Sequence, residues 1–317
     1  MLFNRKASVL LAFLLCSVLM LAACNSDNKA EDQKDTNKTE EKTVTDAIGK
    51  VTIPANPKKV LAPNLEDYLV TLGITPTAQW SIGTTVHTYL QDQLKDVPRI
   101  SWDMPIEDVI EANPDLIIFE SQAAIPEGQY EEYKKVAPVY VFKDEDRKDW
   151  RTQLTVMGEL FDKKDEAKAA IADYKEKAEN AKNDVQEKIG NESAAIIWVT
   201  GGQYFVFEGD RYASNVLYND LGIQKPKYIE NLGGAKATWQ GTSLEALADL
   251  DADHIFIAAL PDEAGLKTLE NSSVWKSLPA VKKGNVYTFD DQSNWTTNAK
   301  TANDKTIDLV LKTFKNK

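Results

Sequence analysis

The sequence predicts an α/β protein: two Rossmann-like lobes of similar topology, each a mainly parallel sheet flanked by helices, joined by one long α-helix. Three observations predict it. The first is an internal repeat. Glu107 to Phe119 is echoed by Glu245 to Ile257, and the matched pairs 107/245 and 115/253 share one offset. Leu72-Gly73-Ile74 precedes the first copy as Leu221-Gly222-Ile223 precedes the second, and Val139 to Phe142 and Val286 to Phe289 follow them in the same order. Three matches in register indicate a duplicated lobe. The second observation is that short apolar runs alternate with helical patterns, which implies strands buried on both faces by flanking helices. The third is the stretch between the copies, 165–189, which has no Pro or Gly and is rich in Ala, Lys and Glu. Those are strong helix formers, so one helix of about 37 Å is expected, at 1.5 Å per residue.

Taken in order, the chain opens with a leader, residues 1–23. Arg5 and Lys6 give a positive start, and Ala7 to Leu21 is a nearly unbroken apolar run, too short for a comfortable bilayer span but suited to a signal peptide. Leu21-Ala22-Ala23-Cys24 has the small-residue pattern of a bacterial lipobox, with cleavage before Cys24 and lipidation of its thiol. Cys16 leaves with the leader, so no disulfide is expected. Residues 24–43 are almost entirely polar and cannot bury enough apolar surface to offset chain entropy, which predicts a disordered tether. The lobes follow at 44–163 and 191–317, with the linking helix at 164–190. In the first, Val60 to Ala62, Leu116 to Phe119 and Val139 to Phe142 are strand candidates. In the second they are Ala194 to Val199, His254 to Ala258 and Val286 to Phe289. Ala170, Tyr174, Ala178 and Ala181 give the linking helix only a narrow apolar stripe, so a solvent-washed surface helix that limits hinge motion is expected.

Composition narrows the function. A net charge of −12 disfavours nucleic acid as a partner. There is no phosphate-binding G-x-x-x-x-G-K-[ST], no H-E-x-x-H and no G-x-S-x-G, so no catalytic constellation is predicted. His87 and His254 are the only histidines. His254 opens a buried strand and reads as a core residue, so no metal site is predicted.

A cleft between two open α/β lobes receives ligands at the carboxyl ends of the strands. The residues placed there by sequence order are Trp80, His87, Arg99 and Trp102 in the first lobe. Trp198, Arg211, Tyr212, Lys236, Trp239 and Trp295 are those of the second. Several Trp around one cleft offer a rigid apolar wall for a bulky ligand.

Particular stretches also carry a resemblance. Val51 to Pro54 and Pro57 to Val60, Pro105-Ile-Glu107 with Asn113 to Ile118, Ser243-Leu-Glu245 with Asp253 to Phe256, and Ser273 to Val281 with Gly284 to Tyr287 resemble the iron(III)-siderophore-binding lipoproteins of ABC importers. These are the helix-linked class of periplasmic-type binding proteins. The resemblance implies a binding protein and not an enzyme, with no cofactor of its own and an iron chelate as ligand. It implies a monomer, lipid-anchored outside the bacterial cell membrane, that meets permease subunits there. It also implies that a glutamate at each lobe tip, Glu107 and Glu245, docks onto the permease. Helix-end roles are open to the same residues: Thr242 to Glu245 fits a capping box, and Glu107 falls in a helix's first turn. Ferric siderophores present negatively charged oxygens, yet Arg99, Arg211 and Lys236 are the only candidate cations, against a larger set of Trp. That balance favours a near-neutral hydroxamate, with Arg211 or Arg99 bonding its oxygens. Citrate-based and catecholate chelates, haem and cobalamin stay open.

Overall fold

The computed structural model describes residues 40–317 apart from Ala237 and Asn316. The leader, Cys24 and the tether as far as residue 39 lie outside the described residues.

The first lobe begins with an antiparallel hairpin of β1 (Glu41–Thr45) and β2 (Lys50–Pro54), paired from Glu41↔Pro54 to Thr45↔Lys50. Its turn is held by the Asp46 carboxylate, which accepts the N–H groups of Ile48 and Gly49 at 2.8 Å and that of Val141 at 2.9 Å. Then come β3 (Val60–Leu61), α1 (Glu66–Thr71), β4 (Gln79–Ser81), α2 (Gln91–Leu94), β5 (Arg99–Ser101), α3 (Ile106–Ala112), β6 (Leu116–Phe119), α4 (Tyr130–Val136), β7 (Val139–Val141) and α5 (Trp150–Leu160). Strands β3, β6 and β7 form a parallel sheet in that order, and β4 and β5 form a parallel pair. Every residue of β6 and β7 is buried, which is why they read as unbroken apolar runs.

The linking helix α6 (Lys164–Ile189) is 26 residues long. The second lobe contains β8 (Ala194–Thr200), β9 (Gln203–Val206), α7 (Ala213–Asn215), α8 (Lys227–Leu232), β10 (Gly241–Thr242), β11 (His254–Ala259), α9 (Ala264–Asn271), α10 (Ser273–Ser277), α11 (Pro279–Lys283), β12 (Val286–Phe289) and α12 (Lys300–Phe314). Its sheet runs β10-β9-β8-β11-β12, parallel from β8 to β12 with β9 and β10 antiparallel at one edge. This is the predicted architecture, with β6 and β11 as the corresponding buried strands of the repeat.

Three expectations change. Polar composition predicts a tether through residue 43, but β1 already takes Glu41, Lys42 and Thr43. Composition misleads there because the alternate residues face solvent, while Val44 and Val51 pack on the core and Lys42 Nζ donates to the Leu160 carbonyl at 2.6 Å. Helix α6 is not solvent-washed all round. Ala167, Tyr174, Ala178, Ala181, Val185 and Ile189 are buried, and the helix packs on both α5 and α12. A Cβ at Gly158 of α5 would stand 2.8 Å from Ala167 Cβ, so that helix contact needs glycine. Finally, α12 does not stay with its own lobe: it packs on α6 and on α1 of the first lobe.

Candidate functional site

A cleft of about 280 Å³ lies where β3 and β6 end in the first lobe and the segment before α7 faces them from the second. Asn64 follows β3 with φ 62°, in the left-handed region that Asn tolerates. Tyr68 comes from α1, and its hydroxyl donates to Gln153 Oε1 at 2.7 Å. Glu120 is the first residue after β6 and Arg147 lies in the loop before α5, with Arg147 Nη1 3.6 Å from Glu120 Oε1.

From the second lobe, Arg211, Tyr212 and Lys236 line the same cleft. The Arg211 guanidinium is buried and already committed. Nη2 donates to Glu208 Oε1 at 3.0 Å and to the Lys236 carbonyl at 2.7 Å, while Nε pairs with Glu208 Oε2. The guanidinium carbon lies 4.3 Å over the Trp239 ring. Burial works against the Glu208 charge, but the Arg211 bonds outweigh it and hold that carboxyl below its usual range. Tyr212 is held at φ 43° and ψ −117°, a combination open in practice to glycine, and it introduces α7. Burial, and after it the charge of Glu120, pushes its phenol up, and both residues line the cleft, Glu120 from the first lobe and Tyr212 from the second.

The remaining predicted residues divide. Trp198 and Trp239 come together, with ring centroids 5.2 Å apart, and they form an aromatic bed behind Arg211 with Phe205 and Phe207. Trp198 Nε1 donates to Gln292 Oε1 at 2.7 Å. Trp80 stacks on His87, centroids 5.7 Å apart. His87 does not reach the cleft: it is buried behind Asn64, with Nε2 3.0 Å from Asn64 Oδ1 and 3.6 Å from Glu66 Oε2. Burial lowers its pKa to about 4, and burial likewise raises the Glu66 carboxyl to about 7 against the Trp80 N–H that it accepts at 2.7 Å. Arg99 opens β5 instead of leaving it, is exposed, and does not line the cleft. Trp102 is 61% exposed at the end of β5, also outside it. Trp295 is wholly buried, packed on Phe289 and Phe256 at 4.9 and 5.7 Å, so it belongs to the core of the second lobe.

Sequence reasoning missed Glu120, Arg147, Tyr68 and Glu208. For Glu120 a signal existed, because it directly follows an apolar run read as a parallel strand, and strand ends are where ligands meet such sheets. Glu107 and Glu245 are both exposed. Glu107 lies in the first turn of α3, as expected. At Glu245 the capping is shifted by one residue: Ser243 Oγ, not Thr242, accepts the Ala246 N–H at 3.2 Å, and a short 3-10 turn follows. Thr242 is taken up in β10.

Two α/β lobes on one long helix, with a polar cleft lined from both, define a two-lobed binding protein of the helix-linked type. The chain belongs to the periplasmic binding protein family, whose model, described as "Periplasmic binding protein", matches residues 60–293. It is 29% identical over 300 residues to the iron(3+)-hydroxamate-binding protein YxeB of Bacillus subtilis (strain 168), covering 91% of each chain. It is 30% identical over 311 residues to the probable siderophore-binding lipoprotein YfiY of the same organism, covering 93% of each. Among solved structures, the FhuD protein from S. pseudintermedius shares the fold, with a TM-score of 0.73 at 23% identity over 87% of this chain and 98% of that one.

Proposed function

We propose that this protein is the substrate-binding component of an ABC importer, capturing an iron(III)-siderophore of the hydroxamate type between its lobes and delivering it to a membrane permease. It carries its ligand unchanged, so it is a binding protein and not an enzyme. Iron arrives inside the chelate and no resident cofactor is needed. In this reading Cys24 bears the lipid that keeps a monomer at the outer face of the cell membrane, and Glu107 and Glu245 meet the permease. Lys236 offers its ammonium and Arg211 its remaining Nη1 group to the chelate oxygens, Tyr212 adds its phenol, and Trp239 keeps the Arg211 side chain flat and rigid.

The observation that carries the hydroxamate preference is the pairing of two of the three cleft cations. Arg211 is bonded to Glu208, and Arg147 lies beside Glu120. A trianionic chelate would find little uncompensated positive charge, whereas a neutral one needs only the directed donors. The names of the hydroxamate- and siderophore-binding relatives support the same class.

The test is a titration of intrinsic tryptophan fluorescence in the protein lacking its leader and Cys24. Ferric hydroxamate, citrate-type and catecholate chelates, haem and cobalamin are compared. Saturable quenching by the hydroxamate at sub-micromolar concentration is expected. Silence toward every chelate would refute the siderophore reading, and tightest binding by another class would replace the hydroxamate.

A further inference from the structure

We infer that Glu120 is the charge filter of the cleft, the residue by which the protein discriminates against anionic chelates. This rests on the cleft being the chelate site. Three cations, Arg147, Arg211 and Lys236, and two carboxylates, Glu120 and Asp210, line it, and Glu208 stands directly behind Arg211. The charges therefore balance. The three carboxylates are not equivalent, however. Glu208 is buried and fully engaged by Arg211. Asp210 accepts the backbone N–H of Ala235. Glu120 faces only Arg147, at 3.6 Å, and that arginine is shared: its Nε donates to Asp144 Oδ1 at 3.1 Å. Glu120 thus keeps charge that no cation of the cleft fully cancels.

Its position makes that charge count. Glu120 leaves β6 at the strand end that opens on the cleft, and Tyr212, Arg211 and Lys236 line the same cleft from the opposite lobe. Any chelate held between Tyr212 and the first lobe lies in the field of Glu120. An anion is repelled there and a neutral complex is not. Neutralising Glu120 has a double effect, since it removes the repulsion and releases Arg147 toward the ligand.

The experiment uses two probes, a neutral iron(III) trishydroxamate and a trianionic iron(III) triscatecholate, titrated on the wild type and on Glu120→Asp, Glu120→Gln and Glu120→Lys. The quantity read is the ratio of the two affinities. Glu120→Gln should shift it toward the triscatecholate roughly tenfold, Glu120→Lys further, and Glu120→Asp should stay close to the wild type. A purely structural effect would not follow the order of side-chain charge. A ratio constant within about twofold across the series overturns the inference while leaving the siderophore reading intact. A wild type that binds neither probe overturns both.

Discussion

The Asp67 carboxylate, on the first helix of the first lobe, accepts the backbone N–H of Ala302 at 2.9 Å, 235 residues further along the chain. Its other oxygen accepts Thr301 N–H at 3.0 Å. These are first-turn amides of α12, whose own cap residue, Ala299, has no side chain able to serve them. A carboxylate there also opposes the positive end of the helix dipole. The lobes are therefore tied twice, by α6 through the chain and by α12 through a buried cap. A double tie of this kind opposes wide separation of the lobes.

Asp67→Ala should lower stability by about 2 kcal/mol, combining a lost cap with two bonds to a charged group. Urea unfolding gives the value, and hydrogen exchange should show the first amides of α12 losing protection. A change under about 0.5 kcal/mol would mean that solvent satisfies those amides and that the cap is not a tie between lobes.

Glu66 and His87 should offset each other as pH changes. Glu66, raised to about 7 by burial, is native as the neutral acid, so its contribution is full below the ordinary carboxyl range and is lost as pH rises through 7. His87, lowered to about 4 by burial, is native as the neutral base, so its contribution is full above the ordinary imidazole range and is lost as pH falls toward 4. Between those ordinary values, about 4.5 and 6.5, the two slopes oppose and the wild type should be nearly flat from this pair. Glu66→Gln should expose the His87 slope, a loss on the order of 3 kcal/mol on going from pH 6.5 to 4. His87→Gln should expose the reverse, a gain of similar size from pH 7 to 4.5. Urea midpoints across that range decide it, and parallel curves for all three proteins would refute the coupling.

At Tyr212 the backbone predicts an inverted order of stability. With φ at 43° and ψ at −117°, any side chain is strained. Glycine should therefore be the more stable replacement there, with Tyr212→Gly exceeding Tyr212→Ala by about 1–2 kcal/mol in thermal or urea unfolding. Both should bind chelate more weakly than the wild type. Equal stability of the two variants would show that the conformation is not strained.

The two exposed glutamates give a prediction about transport. Charge reversal at both, Glu107→Lys with Glu245→Lys, should abolish uptake while chelate affinity in solution stays within about twofold of the wild type, since rim charges lie outside the cleft. Uptake that persists would remove them from the docking surface.

Much of this was legible in the chain. Strands β6 and β11 are buried on both faces, so their sequences are uniformly apolar and the repeat shows through. Arg211, Tyr212 and Lys236 were reachable because they follow or precede segments whose element type was clear. Trp295 was not, since a tryptophan in a polar stretch reads alike whether it faces a cleft or turns inward onto Phe256 and Phe289. Arg99 was misplaced because it reads as a loop residue, whereas it opens the strand Arg99–Ser101, which is too short to leave a pattern in the sequence.

By itself, then, the sequence determined the two α/β lobes, the helix between them and the family, because burial and helix propensity act over short windows and leave periodic marks. Only the tertiary structure decided that α12 returns to the first lobe, that His87 stands behind Asn64, that Glu208 neutralises Arg211 and that Glu120 and Tyr212 line one cleft. Each of these is a juxtaposition made by packing, and it depends on distance and orientation in space, which a local pattern of residues does not record.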